Sequence, residues 1–248
     1  MKKFVLAATI LACALFTSSP ASADIVSFSG SSGTLAASAD FNFSGNTLIV
    51  TLTNTSAFDV MNPAEVLTAL FFNINGAGAL GSVSAVLGAG STVFYDADGQ
   101  PAGGVVGGEW GYGSGLAGPG GATEGISSTG LGGVFGAATF PGPDLEGPAA
   151  LDGPQYGILS AGDNTATGNG GITGSGGLIK NSVVFTLTGV MGLTGASVSN
   201  VSFQYGTAPT EPNIPSTTTN ITVPEPTLLS LLGFGLAGAA YRIRRRRQ

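Results

Sequence analysis

The stretch NTLIVTLTN, residues 46–54, decides the fold class. Its alternation puts Leu48, Val50 and Leu52 on one face and Ile49, Thr51 and Thr53 on the other, the period-two, β-branched pattern of a half-buried strand. Reading outward, residues 66–74 alternate as well and place Val66, Leu70, Phe72 and Ile74 together. Residues 182–190 and 198–205 repeat the style near the far end, with shorter strand candidates at 25–28, 35–43, 83–87 and 92–95. NTLIVTLT at 46 and NSVVFTLT at 181 are alike. They read either as equivalent strands in two halves of a sandwich or as the ordinary convergence of Thr-rich strands, and the second reading is the simpler. No repeat of 20 to 50 residues runs through the chain, which argues against propellers and solenoids. Asn62-Pro63-Ala64-Glu65 has the form of a helix start, with an N-cap, a proline in the first turn and an acid three positions on. A single turn before the strand is expected there, the alternative being a full helix through Phe71 and Phe72.

Residues 99–177 hold 27 of the 42 glycines, yet they also contain Trp110, Tyr112, Phe135, Phe140 and Tyr156. Glycine loses much chain entropy on ordering, so this part is expected as long loops with short strands laid across a sandwich. At 207–223 the composition turns to Pro and Thr, which reads as an extended stalk suited to O-glycosylation. The expected fold is therefore all-β, a β-sandwich or jelly-roll-like domain over 24–206 with long Gly-rich loops.

Charge is distributed unevenly. Between Ala23 and Tyr241 the only base is Lys180, while all fourteen acids lie in that stretch, leaving a net charge of minus thirteen there. Phosphate binding needs clustered Lys and Arg, so nucleic acid is not expected as a partner. With no histidine and a single cysteine, Cys13, the Ser-His-Asp and Cys-His arrangements and Cys/His zinc sites are unavailable. No catalytic residue and no cofactor are expected. The nearest approach to catalysis is Glu109 beside Trp110, since acid-only glycosidases set carboxylates near aromatic platforms. Asp96 and Asp98 in Asp-Ala-Asp-Gly form a weak calcium candidate, more simply read as a polar turn.

Residues 1–23 read as a secretory signal peptide, with Lys2 and Lys3, an apolar run from Phe4 to Phe16, and cleavage set by Ala21 and Ala23. Thirteen apolar residues span about 20 Å as a helix, short of a hydrocarbon core of about 30 Å. Cleavage would make Asp24 the first residue, and export through the Sec machinery follows. Cys13 loosely suggests a lipid-attachment box, but the apolar run continues past it.

Five of the eight basic residues, Arg242, Arg244, Arg245, Arg246 and Arg247, lie in the last seven positions, behind an apolar segment at 227–241. Fifteen residues make about 22 Å of helix, a short membrane helix whose arginines stay on the cytoplasmic side and leave the body outside. Gly233-Phe234-Gly235-Leu236-Ala237-Gly238 spells a dinucleotide fingerprint, but no acid follows it and the chain ends ten residues later. Small residues of a membrane helix explain it better.

Val223-Pro224-Glu225-Pro226, the apolar segment and the arginine cluster together resemble the PEP-CTERM sorting signal of Gram-negative bacteria. That resemblance covers about 25 residues. It implies processing by an exosortase at Pro224, Glu225 and Pro226, a transient stay in the inner membrane, and release or attachment at the cell surface alongside exopolysaccharide. Tails of this kind have also been labelled as the C-terminal domain of ice-binding proteins. The expected function is a non-enzymatic exported surface or matrix protein. A carbohydrate- or ice-binding adhesin is the alternative, and a secreted acid-residue hydrolase stands behind both. An ice face would need a flat array of regularly spaced threonines, and along the chain the threonines are scattered.

Overall fold

The computed structural model describes residues 24–222 apart from 96–99, 137, 148–150, 152, 168–170, 174 and 175. Fourteen strands follow in chain order: β1 (Asp24–Ser32), β2 (Leu35–Ser44), β3 (Thr47–Asn54), β4 (Leu67–Ile74), β5 (Gly81–Leu87), β6 (Thr92–Phe94), β7 (Gly111–Ser114), β8 (Glu124–Ser127), β9 (Ile158–Leu159), β10 (Leu178–Lys180), β11 (Ser182–Thr188), β12 (Val198–Tyr205), β13 (Asn213–Pro215) and β14 (Thr218–Thr222). The only helical pieces among the described residues are 3-10 turns of three residues. No described helix is long and apolar enough to cross a membrane. The fold is all-β.

The first sheet has the order β14-β1-β2-β3-β11-β5, and every pairing in it is antiparallel. The second runs β13-β12-β4-β9-β10-β6, with β8 also on β4 and β7 on β8. β1, β2 and β3 form a meander in one sheet, where a jelly roll would pass from sheet to sheet. The two hairpins of that meander turn through Gly33-Thr34 and Gly45-Asn46, with φ +60° at each glycine. Glycine leading a two-residue loop at positive φ matches the right-handed twist of the strands it joins.

Leu48, Val50 and Leu52 are fully buried, as their alternation predicts, and face the shared core. The look-alike strand β11 is the neighbour of β3 in the same sheet, with Leu48 opposite Leu187, Val50 opposite Phe185 and Leu52 opposite Val183. Like strings here mark adjacent strands that meet the same core, and neither the two-halves reading nor chance is required. The sheets are joined by rings. Phe41 meets Phe28 edge-on at 5.7 Å in its own sheet and Phe72 of the second sheet at 5.3 Å. Trp110 and Phe140 both pack on Phe185, at 5.0 and 5.4 Å.

β4 departs from simple alternation because it is buried on both faces. Leu70, Phe72 and Ile74 enter the central core, while Ala69 and Phe71 pack outward against Leu131, Phe135 and Leu151 of the Gly-rich segment. Val66 leaves the predicted set and joins Val60, Leu159, Ile172 and Leu178. The single turn expected before this strand is present as the 3-10 turn Pro63–Glu65, capped by Asn62, whose side chain accepts from the Ala64 N–H.

The largest difference lies in residues 207–223, expected as a stalk. β13 pairs with β12 and β14 pairs with β1, Ile25 standing opposite Thr222 and Ser29 opposite Thr218. Pro and β-branched Thr suit short edge strands as well as extended linkers, so composition alone could not separate the two. The intervening loop is fastened by Glu211, whose carboxylate accepts from the N–H groups of Thr207 (2.5 Å) and Ala208 (2.6 Å).

Two outcomes follow. Phe41→Ala should lower stability in urea unfolding by about 3–5 kcal/mol, whereas Thr51→Ala on the outer face should change it by less than about 1 kcal/mol. A chain stopped after Gly206 should lose stability in the same assay, because it strips an edge strand from each sheet; a stalk would leave the midpoint where it was.

Candidate functional site

Glu109 and Trp110 are the sequence's best approach to an enzyme site, and both are buried. Gly107 and Gly108 let the backbone run against the segment 141–143, where a Cβ would stand 2.0 Å from the carbonyl oxygen of Pro141 or Pro143. That close approach brings the N–H groups of Leu145 and Glu146 onto Glu109 Oε1, at 2.5 and 3.0 Å. Trp110 is wholly buried, and its indole N–H donates to the Tyr156 carbonyl at 3.1 Å. An indole in that position offers no face to a sugar. The acid beside Glu109 is Asp144, whose carboxyl hydrogen-bonds it.

A second buried acid, Glu124 on β8, stands opposite Phe72 and Ser114 in the strand registers. Its Oε2 is buried without a hydrogen-bond partner. Burial pushes both carboxyls up to about 7; for Glu109 the two N–H bonds oppose the shift and the neighbouring Asp144 adds to it. Glu124 in turn helps burial raise the Tyr112 phenol to about 12.

A third group joins the loop after β3 to the loop after β9. Asp163 Oδ1 accepts from the Val60 N–H at 2.9 Å, and Asp59 Oδ1 accepts from the Asn164 N–H at 3.0 Å. Each carboxylate thus holds the amide that follows the other. Lys180, the body's only base, donates to the Asp163 carbonyl at 2.5 Å. Asp59 and Asp163 are 104 positions apart, and no local motif signals their meeting. Asp96 and Asp98 lie outside the described residues, as do Ala21, Ala23, Pro224, Glu225, Pro226, the 227–241 segment, Arg242, Arg244, Arg245, Arg246 and Arg247.

The raised carboxyls fix a pH dependence. Their folded pKa of about 7 lies above the ordinary 4.5, so the folded state holds protons that the unfolded chain gives up. That contribution is complete below about pH 4.5 and is lost as pH rises through 7. The melting temperature should therefore fall between pH 5 and pH 8, and Glu124→Gln should flatten the fall. A wild-type profile flat across that range would contradict the burial assigned to these acids.

β1 opens at Asp24, the residue placed directly after the expected signal cleavage, and its carboxylate accepts from the Gly195 N–H at 2.7 Å. β14 closes the other end at Thr222, one residue before Val223. Residues 222–246 match the family model described as the PEP-CTERM protein-sorting motif. No curated protein and no solved structure matches the chain. The match and the three-part pattern of proline-flanked acid, apolar run and arginine cluster agree: residues 222–246 carry a PEP-CTERM protein-sorting motif, a signal for export and exosortase processing.

Proposed function

We propose that the chain is a non-enzymatic protein of the cell surface or extracellular matrix. The Sec machinery exports it, residues 227–241 hold it briefly in the inner membrane with the body outside, and an exosortase cuts it near Pro224, Glu225 and Pro226. The match of residues 222–246 to the sorting motif carries this reading. The burial of Trp110 and the structural hydrogen bonds of Glu109 support it by giving the best hydrolase candidate a packing role. The composition supports it too, since fourteen acids and one lysine between Ala23 and Tyr241 suit a solvated surface that repels its own copies.

A second reading, a carbohydrate-binding adhesin, draws on one surface. The strand registers gather hydroxyl and amide residues that are scattered in sequence onto the outer face of the first sheet. Ser38 of β2 lies opposite Thr53 of β3, Asn42 opposite Ile49, and Ile49 opposite Thr186 of β11. Ser27, Thr51 and Thr188 extend the same face, and Asp40 adds its charge. Strands about 4.8 Å apart with same-face residues about 6.8 Å apart set these polar groups in rows interrupted by Ile25, Ile49 and Val184, a mixed face that suits a neutral polyhydroxyl chain better than a charged one.

Mass spectrometry of the C-terminus tests the first reading. In cells with the exosortase the mature chain should end near Pro224, Glu225 and Pro226; without it the Arg-rich tail should remain. An intact tail in both would overturn the proposal. For the second reading, retention of the body on neutral polysaccharide should fall several-fold in the double variant Thr51→Lys, Thr186→Lys, and retention that does not change removes that face from consideration.

A further inference from the structure

The clasp between the β3–β4 loop and the loop after β9 brings an amine to a pair of acids. Asp163 is only 4% exposed, and its carboxyl hydrogen-bonds the Asp59 carboxyl. Two carboxylates in such contact repel when both are ionised, so the pair holds a shared proton. Burial pushes the Asp163 carboxyl above its ordinary range and places that proton on it. Asp59, partly exposed, is held below the ordinary range by the Asn164 N–H first and by Asp163 second. Asp163 is thus a neutral acid whose hydroxyl can leave as water. Asp59 is an ionised neighbour that can carry protons to solvent.

Lys180 supplies the amine and is the only lysine between Ala23 and Tyr241. In the pairing of β10 with β9 it stands opposite Leu159, which clusters with Leu178, Val60, Val66 and Ile172. Its stem leaves the strand on that apolar side, two positions from Leu178. Nζ ends on the Asp163 main-chain carbonyl at 2.5 Å, and its charge acts on the Asp163 carboxyl. A rotation of the stem moves Nζ from that oxygen toward Cγ of the same residue. The target is held still. Asp163 Oδ1 accepts from the Val60 N–H, and the Asp163 N–H donates to the Ser160 carbonyl at 3.2 Å. A Cβ on Gly162 would stand 2.3 Å from the Ala57 carbonyl oxygen, so the two loops meet backbone on backbone.

We infer that Lys180 and Asp163 form an intramolecular isopeptide bond, with Asp59 carrying the proton. Holding amine and acid together in one fold replaces a slow bimolecular condensation with an oriented intramolecular one. Asp59 takes a proton from the Lys180 ammonium, and the free Nζ attacks Cγ of the protonated Asp163. The Nζ–Cγ bond forms and the Cγ–OH bond breaks. The hydroxyl leaves as water with a second proton from Nζ, and Asp59 returns its own proton to solvent. No oxidant or further reactant is needed. The product is an amide that ties the loop after β9 to β10, in a chain whose only cysteine is Cys13.

Mass spectrometry and trypsin together test the bond on the protein recovered from cells, its two ends identified and the chain denatured in urea. The wild type should weigh one water less than its sequence between those ends. Trypsin should also spare the Lys180–Asn181 bond, because it cuts only after a free lysine. Succinimide formation at an Asp-Gly bond expels water too, but it leaves Lys180 open to trypsin. Asp163→Ala should restore both the full mass and the cut, Lys180→Arg should restore the full mass and be cut after position 180, and Asp59→Asn should leave the chain unlinked. The wild-type measurement decides even where a variant fails to fold. A wild type of full sequence mass, a missing water with trypsin still cutting after Lys180, or a link that persists in Asp163→Ala would each overturn the bond, and a link kept in Asp59→Asn would overturn the role of Asp59.

Discussion

Phe41, fully buried, touches Phe28 along its own sheet and Phe72 across to the other. The rest of the fold depends on that contact and the interlock around it. An edge-to-face pair contributes about 0.5–1.5 kcal/mol beyond the area it buries, and burying each ring removes a large apolar surface from water. No disulfide can add to this, because Cys13 is the only cysteine. The central core draws on both sheets, from Val26 and Phe28 on β1 to Phe203 and Tyr205 on β12. A domain of roughly 200 residues can bury enough surface to hold without covalent help. The Gly-rich middle is stabilised the same way, through Trp110 and Phe140 on Phe185 and through Phe135 on Phe71 at 5.6 Å.

What the sequence revealed depended on the range of the physics involved. β3 was legible because alternation is local and one face meets the core. β4 was only half legible: Phe71 and Ala69 look like solvent-side positions until the Gly-rich segment folds over them. The turn at Pro63–Glu65 was legible because capping needs only neighbours, whereas residues 207–223 were misread because Pro and Thr serve edge strands and linkers alike. Glu109 drew notice as an acid beside a tryptophan, but its N–H partners come from Leu145 and Glu146, beyond any local window. The Asp59–Asp163 clasp gave no signal, since two isolated aspartates 104 positions apart have no spacing to read. The sorting tail is the reverse case. Its three parts are contiguous and were readable without any fold.

These pieces describe an all-β body followed in sequence by a sorting motif at residues 222–246. The edge strand β14 closes the first sheet against β1, and Val223-Pro224-Glu225-Pro226 follows directly in sequence. Removing the last 22 to 24 residues would remove the five arginines and keep the fourteen strands of the described residues.

That junction can be measured directly by amide hydrogen exchange on the protein recovered from outside the cell. Strand β14 gives its amides partners on β1, so residues 218–222 should be present and exchange slowly, with the protected region ending near Val223. Fast exchange throughout 207–222, or a mature chain that ends before Thr218, would contradict a folded body that runs to the edge of the sorting signal.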